Sequence, residues 1–195
     1  GDVAQCADGI DNDSDGKVDL GDPGCANATD NNESDDPSAD LRVAIVGDSY
    51  ISGEGSYSYD SATDIHSGAS TVNNLCHRSH QSWAYQLALG VTPQATNIGF
   101  FACSGATVGD VVGGQYNESS QLVQLSAFES QAPTDVVFVS IGGNDLPFND
   151  IILQCLKDNC ADGAYRDQVR ARVLRSANAV AGLLAQVKAR APHAN

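Results

Sequence analysis

The stretch LRVAIVGDSY, residues 41–50, decides the fold. Its first six residues are a short, β-branched apolar run with no polar alternation. That is the pattern of a strand covered on both faces, as in parallel sheets with helices on either side. The run breaks at Gly47-Asp48-Ser49, a turn triplet, and the pattern then repeats. Residues 95–102 (ATNIGFFA) and 135–141 (DVVFVSI) read as two further strands. Residues 79–89 (SHQSWAYQLAL) have helical spacing with Gly90 as the stop, and a helix is predicted over 119–130. A last helix is predicted over Gly163–Arg190, with Val169, Val173, Ala177, Val180, Leu184 and Val187 as one apolar stripe at steps of four and three. Strands alternating with helices predict an α/β fold, a three-layer αβα sandwich on a parallel sheet with right-handed crossovers. Only three strands are legible, and 191–195 follow a long helix where such a fold would add another strand. The expectation is an α/β domain, 41–195, incomplete at its C-terminus.

In open parallel sheets function gathers at the carboxyl ends of the strands. After the first strand comes Gly47-Asp48-Ser49-Tyr50, after the second Cys103-Ser104-Gly105-Ala106, and after the third Gly142-Gly143-Asn144-Asp145. The topology brings all three turns to one edge. Ser49 offers a hydroxyl on a tight turn, Gly105 an unshielded backbone N–H, and Asn144 a side-chain amide donor. A hydroxyl flanked by two such donors is the layout of an acyl-transfer nucleophile with an oxyanion hole. Taken singly, each turn is ordinary turn chemistry, and Asp48, Asp110 and Asp145 suit helix caps. Their joint placement favours catalysis.

The chain resembles the SGNH (GDSL-type) hydrolases, in particular their secreted actinobacterial lipase/esterase branch. The resemblance rests on GDSYISGEG at 47–55, CHRS at 76–79, FFACSGA at 100–106 and IGGND at 141–145, four blocks in the family's order. It implies a flavodoxin-like sheet, Ser49 as nucleophile, and an oxyanion hole from the Ser49 N–H, the Gly105 N–H and the Asn144 side chain. It also implies disulfides Cys76–Cys103 and Cys155–Cys160. Tyr50 stands where the GDSL name has leucine, a change expected to affect the pocket more than the chemistry. The family's catalytic histidine lies in a block near the domain's C-terminus, and residues 1–195 end before such a block. Of the four histidines present, His193 follows the last helix. Its 28 residues, ~42 Å at 1.5 Å each, carry the chain to the far edge of the sheet. His66, His77 and His80 fall on the correct edge without an aspartate partner at a recognisable spacing. A serine without a general base is a weak nucleophile. The base is therefore expected from a C-terminal segment, in a longer chain or an associated polypeptide.

The formal charge of −15 argues against nucleic acid or an anionic membrane surface as partner, since both demand a positive face. No apolar run is long enough for a transmembrane helix. The absence of methionine and the start at Gly1 suggest a processed product. Six cysteines without a CxxC pair suit three disulfides and an oxidising, extracellular location. Their spacing (Cys6/Cys25, Cys76/Cys103, Cys155/Cys160) invites sequential pairing among 15 connectivities.

The charge is concentrated at the front, where residues 1–40 hold twelve acids against Lys17 alone. Residues 11–22 fit a calcium-loop template. Asp11, Asp13, Asp15, Asp19 and Asp22 stand at positions 1, 3, 5, 9 and 12, Gly16 at 6, and Lys17 offers its carbonyl at 7. Asp22 replaces the usual glutamate. The stretch CADGIDNDSDGKVDLGDPGC, closed by Cys6 and Cys25, resembles the short DxDxDG calcium modules of secreted bacterial proteins, with Ca²⁺ as structural cofactor. Residues 1–25 are read as this module and the polar 26–40 as a linker. The expected function is a secreted carboxylic-ester hydrolase acting on a lipid or short-chain acyl ester. The alternatives are a carbohydrate acetyl esterase and a non-catalytic, calcium-dependent binding module with a hydrolase-like fold.

Overall fold

Leu41–Gly47 form strand β1, whose residues 42–47 are buried, because sheet neighbours flank it and side chains cover both faces. The computed structural model describes residues 3–14, 16–22, 24–33, 41–66, 73–90, 95–157, 160 and 162–194. Strand β2 is Ala95–Phe100 and β3 is Val136–Ser140. The sheet order is β2-β1-β3, with β1 parallel to β3 in the register Val43↔Val136 through Gly47↔Ser140. The helices are α1 (Ser49–Ser52), α2 (Trp83–Gly90), α3 (Val108–Gly113), α4 (Gln121–Glu129), α5 (Phe148–Lys157) and α6 (Gly163–Arg190).

Strand periodicity sorts the core into two layers. Ala44 and Val46, with their register neighbours Val137 and Val139, join Leu122, Leu125 and Phe128 of α4 and Leu183 and Val187 of α6 in one cluster. On the other face Phe138, beside Ile45 in register, meets Trp83 of α2 with ring centroids 5.9 Å apart. Tyr85 meets Phe100 at 5.8 Å. Helices thus cover both faces, as predicted, and the three strands lie where the apolar runs placed them.

Three helical expectations change. The helix predicted from 79 starts at Trp83, because Ser79 Oγ and Ser82 Oγ accept the Gln81 and Tyr85 amides and hold 79–82 as a capping turn. Helices α1, α3 and α5 were not foreseen, although the capping box of α3, Thr107 with Asp110, is written in the sequence. In α6 the buried residues are Leu183 and Val187, with Ser176 and Val180 half-buried above them. Val173 and Leu184 of the expected stripe are exposed. Leu183 shares a face with Val180 and Val187, at steps of three and four, whereas Leu184 is turned about 100° from it.

The chain divides into two compact units, Gly1–Leu41 and Arg42–Asn195. In the first, the 3₁₀ turn Gln5–Ala7 carries Cys6 and the 3₁₀ turn Asp19–Gly21 lies within the loop that Cys6–Cys25 closes. Residues 26–33, read from composition as linker, belong to this unit. The Cys6 amide donates to the Asp30 carbonyl (3.2 Å), and Glu33 is fully buried, accepting the amides of Asn12 (2.7 Å) and Asp19 (2.5 Å). Polar side chains satisfy the backbone here, so low hydropathy is compatible with an ordered segment. The rest of that linker, 34–40, lies outside the described residues. Disulfides Cys76–Cys103 and Cys155–Cys160 complete the sequential pairing.

Candidate active site

The first turn is built around Gly47. Its φ is +146°, and a Cβ there would stand 2.0 Å from the Ser140 carbonyl oxygen, so only glycine fits between β1 and β3. The buried Gln121 of α4 brackets it, accepting the Gly47 amide (2.7 Å) and donating to its carbonyl (2.9 Å). Asp48 then caps α1 by accepting the Tyr50 amide (3.0 Å). Ser49 is thereby the first residue of the helix, where the backbone N–H has no partner within the helix. Half-buried, it lines a groove of about 410 Å³ with Tyr50, Glu54, Trp83 and neighbours.

The three turns are tied to one another. The Asp48 amide donates to the Ser140 carbonyl (2.9 Å), and the Cys103 amide donates to the Gly47 carbonyl (3.0 Å). Asn144 Nδ2 donates to the Ala106 carbonyl (2.9 Å), while Asp145 receives the Val108 amide at the start of α3 (3.1 Å). A Cβ on Gly143 would lie 3.8 Å from an Asp48 carboxylate oxygen. Gly105 is exposed at φ +78°. Ser49, Gly105 and Asn144 therefore stand on three mutually bonded turns at the carboxyl ends of the strands. One hydrogen of the Asn144 amide is engaged by Ala106, and the amide carries a second.

The surrounding charges hold this edge in place. Arg78 Nε donates to the Ala102 carbonyl (2.8 Å) and Nη2 to the Phe101 carbonyl (3.3 Å), just before the second turn, while its guanidinium forks onto Glu118. Burial opposes ionisation of Glu118, but hydrogen bonds and the charge of Arg78 prevail and hold its carboxyl below the usual range. Burial pushes the Asp48 carboxyl up, and the neighbouring charge of Asp145 adds to this. At Glu54 burial is outweighed by hydrogen bonds from Ser104, His77 and Tyr59, and its carboxyl is lowered. Arg78 lies in the CHRS block, but its partner Glu118 carried no sequence signal, being 40 residues away.

None of the four histidines is hydrogen-bonded to Ser49 among the described residues. His66 pairs with Asp64 (2.9 Å), His77 with Glu54 (2.7 Å), and His80 stacks on Tyr85. His193 lies 3.4 Å from Glu129, which also accepts the Thr134 amide ahead of β3, so it stands at the amino ends of the strands.

In the acidic unit Asp11 accepts the amides of Ser14 (2.7 Å) and Gly16 (3.0 Å), winding the loop about its carboxylate. Asp19 accepts the Gly9 amide (2.9 Å), and Asp22 is buried. Asp13 and Lys17 lie in the same loop, and Asp15 lies outside the described residues. Sequence reasoning missed Glu33, whose carboxylate joins the amides of Asn12 and Asp19 across the loop. The side chains gathered in this loop are carboxylates, which are hard oxygen donors.

A lipase of Streptomyces rimosus is 38% identical over 110 residues, which are 56% of this chain and 32% of that protein. Lipase 1 of Streptomyces coelicolor is 34% identical over 120 residues, 62% of this chain and 36% of that protein. The chain spans about a third of the length of these curated relatives. The crystal structure of phospholipase A1 from Streptomyces albidoflavus NA297 aligns with a TM-score of 0.48 at 27% identity, over 80% of this chain and 58% of that one. The sequence pattern of the GDSL-like lipase/acylhydrolase family matches residues 45–195, from the middle of β1 through all three turns. By that match the chain belongs to the GDSL-like lipase/acylhydrolase family.

Proposed function

We propose that this chain carries the nucleophile and oxyanion hole of a secreted serine esterase that hydrolyses carboxylic esters. The observation that carries the reading is the bonded convergence of the three turns, with Ser49 heading α1 beside an open groove. Ser49 Oγ attacks the acyl carbon, and the charge that develops on the carbonyl oxygen meets the N–H groups of Ser49 and Gly105 and the second hydrogen of the Asn144 amide. The alcohol departs with a proton, and water then releases the acyl group from Ser49. The general base is a histidine outside residues 1–195, on a continuation of the chain or an associated polypeptide. Two facts support this: the four histidines are engaged elsewhere among the described residues, and the relatives are about three times as long as the matched segment. Tyr50 and Trp83, both exposed at the groove, favour an acyl chain of a lipid or short-chain ester over the acetyl group of a polysaccharide.

A fluorophosphonate probe applied to the chain with its C-terminal continuation tests the reading. It should label Ser49 and fail on Ser49→Ala, and Asn144→Ala should lower kcat roughly 10²–10³-fold. Absence of labelling on the continued chain would favour the non-catalytic binding module.

The N-terminal unit is read as a structural Ca²⁺ module, with Asp11, Asp13, Asp15, Asp19 and Asp22 and the Lys17 carbonyl as its ligands. Calorimetry against an EDTA-treated control should show stoichiometric binding; no heat at millimolar Ca²⁺ would overturn it.

A further inference from the structure

Beside the groove, outside the proposed esterase machinery, Asp64, His66 and His77 bring a carboxylate oxygen and two imidazole nitrogens within 4.8 Å of one another. His66 Nε2 lies 2.9 Å and His77 Nε2 3.4 Å from the same oxygen, Asp64 Oδ1. We propose that these three residues form a binding site for a divalent transition metal of the zinc class, which ties Asp64 and His66 to His77 beside the second turn.

The chemistry of His77 carries the argument. Its Nδ1 lies 2.7 Å from Glu54 Oε2, and a carboxylate there draws the ring proton to Nδ1. In the neutral ring that leaves Nε2 with a lone pair. This Nε2 is buried, makes no hydrogen bond, and faces a carboxylate oxygen, which is itself only an acceptor. Two lone pairs in opposition are repulsive, and a cation between them turns the arrangement into coordination. The two separations from Asp64 Oδ1 agree: ligand atoms ~2.0–2.1 Å from a tetrahedral metal stand roughly 3.3 Å apart, between the 2.9 and 3.4 Å found here, and the two imidazole nitrogens lie within 4.8 Å of each other. Two imidazoles and one carboxylate suit zinc or its neighbours and do not suit Ca²⁺, which takes oxygen ligands.

The ring is also held from its faces. Tyr59 stacks on His77 with centroids 4.4 Å apart, and His77 sits at φ +49°, a strained backbone that the surrounding contacts must maintain. Glu54 orients His77 as an outer-shell carboxylate and receives Ser104 Oγ at 2.5 Å, one residue before Gly105. Cys76, next to His77, is bonded to Cys103, next to Ser104. A metal on His77 therefore ties Asp64 and His66 to the residue next to Cys76, and through the disulfide to the turn that carries Gly105.

Zinc titration of the full chain, metal-stripped and then held in millimolar Ca²⁺ to occupy oxygen-ligand sites, tests the proposal against a chromophoric chelator. One equivalent of Zn²⁺ should bind at micromolar affinity or tighter, and Co²⁺ in its place should give the visible bands of a four-coordinate site. Binding should weaken at least tenfold in His66→Ala and in Asp64→Asn, and by about 10–100-fold in Glu54→Gln, which keeps all three ligands. His66 is exposed, so its variant folds even if changes at His77 do not. Absence of saturable Zn²⁺ binding, or a titration unchanged in both His66→Ala and Asp64→Asn, would overturn the site. Neither outcome depends on esterase activity.

Discussion

Gly47 shows how one residue can fix the edge on which the three turns meet. Its backbone is bonded to α4 through Gln121 and to the second turn through Cys103, and its missing side chain admits the Ser140 carbonyl of the third. Gly47→Ala should destabilise the fold by about 2–4 kcal/mol, because the new methyl meets backbone that cannot step aside. A urea midpoint unchanged from the parent chain would contradict this. Glycine at this position reads in the sequence only as turn chemistry; the contact that demands it comes from a residue 93 positions away.

Among the elements, α6 separates what periodicity supplies from what packing selects. Its limits, Gly163–Arg190, follow from an unbroken helical pattern, with Asp162 as the cap. Its buried face follows from what lies beneath it: α4 and the Ala44–Val46 side of the sheet take up Leu183 and Val187. The sequence offers Leu183 and Leu184 side by side, and both fit an apolar stripe. Leu183→Ala should cost about 2–4 kcal/mol by cavity formation, whereas Leu184→Ala, at a site 46% exposed, should stay within about 0.5 kcal/mol. Equal losses in parallel denaturation curves would show that the helix turns its other face inward. Strand β3 is half-buried along its whole length, at the sheet edge where a further strand of the expected fold would add.

For the whole molecule, acid stability follows from the carboxylates that the fold holds ionised. Glu118 is the clearest, held low by Arg78 and by Asn74, whose amide donates to it at 2.6 Å. Because its folded pKa lies below the unfolded value of 4.5, the unfolded chain takes up the proton first. Stability from this pair is complete above pH 4.5 and is lost as pH falls through the folded value. Glu118→Gln should lower stability at pH 7 by about 1–3 kcal/mol, since Arg78 is left without its partner. It should also narrow the gap to the parent chain as pH falls below 4.5. A gap that is constant from pH 7 to pH 3 would show that the charge of Glu118 plays no part.

The sequence by itself determined the three strands, the long helix, the edge on which the turns meet and the residues they present. Each of these follows from local period, turn chemistry or the handedness of parallel crossovers, and the four family blocks carry the same information. Only the tertiary structure decided which side of α6 is buried, that residues 26–33 belong to the acidic unit through the buried Glu33, and that Arg78 and Glu118 support the second turn. It alone brought Asp64 and His66 to His77, with Glu54 behind it. The polar pairings among these span 11 to 40 residues, and the buried face of α6 is set by the apolar side chains beneath it. A chain writes its hydrophobic period in every few residues, but a polar partner is chosen by proximity after the backbone has folded, and no local pattern records that choice.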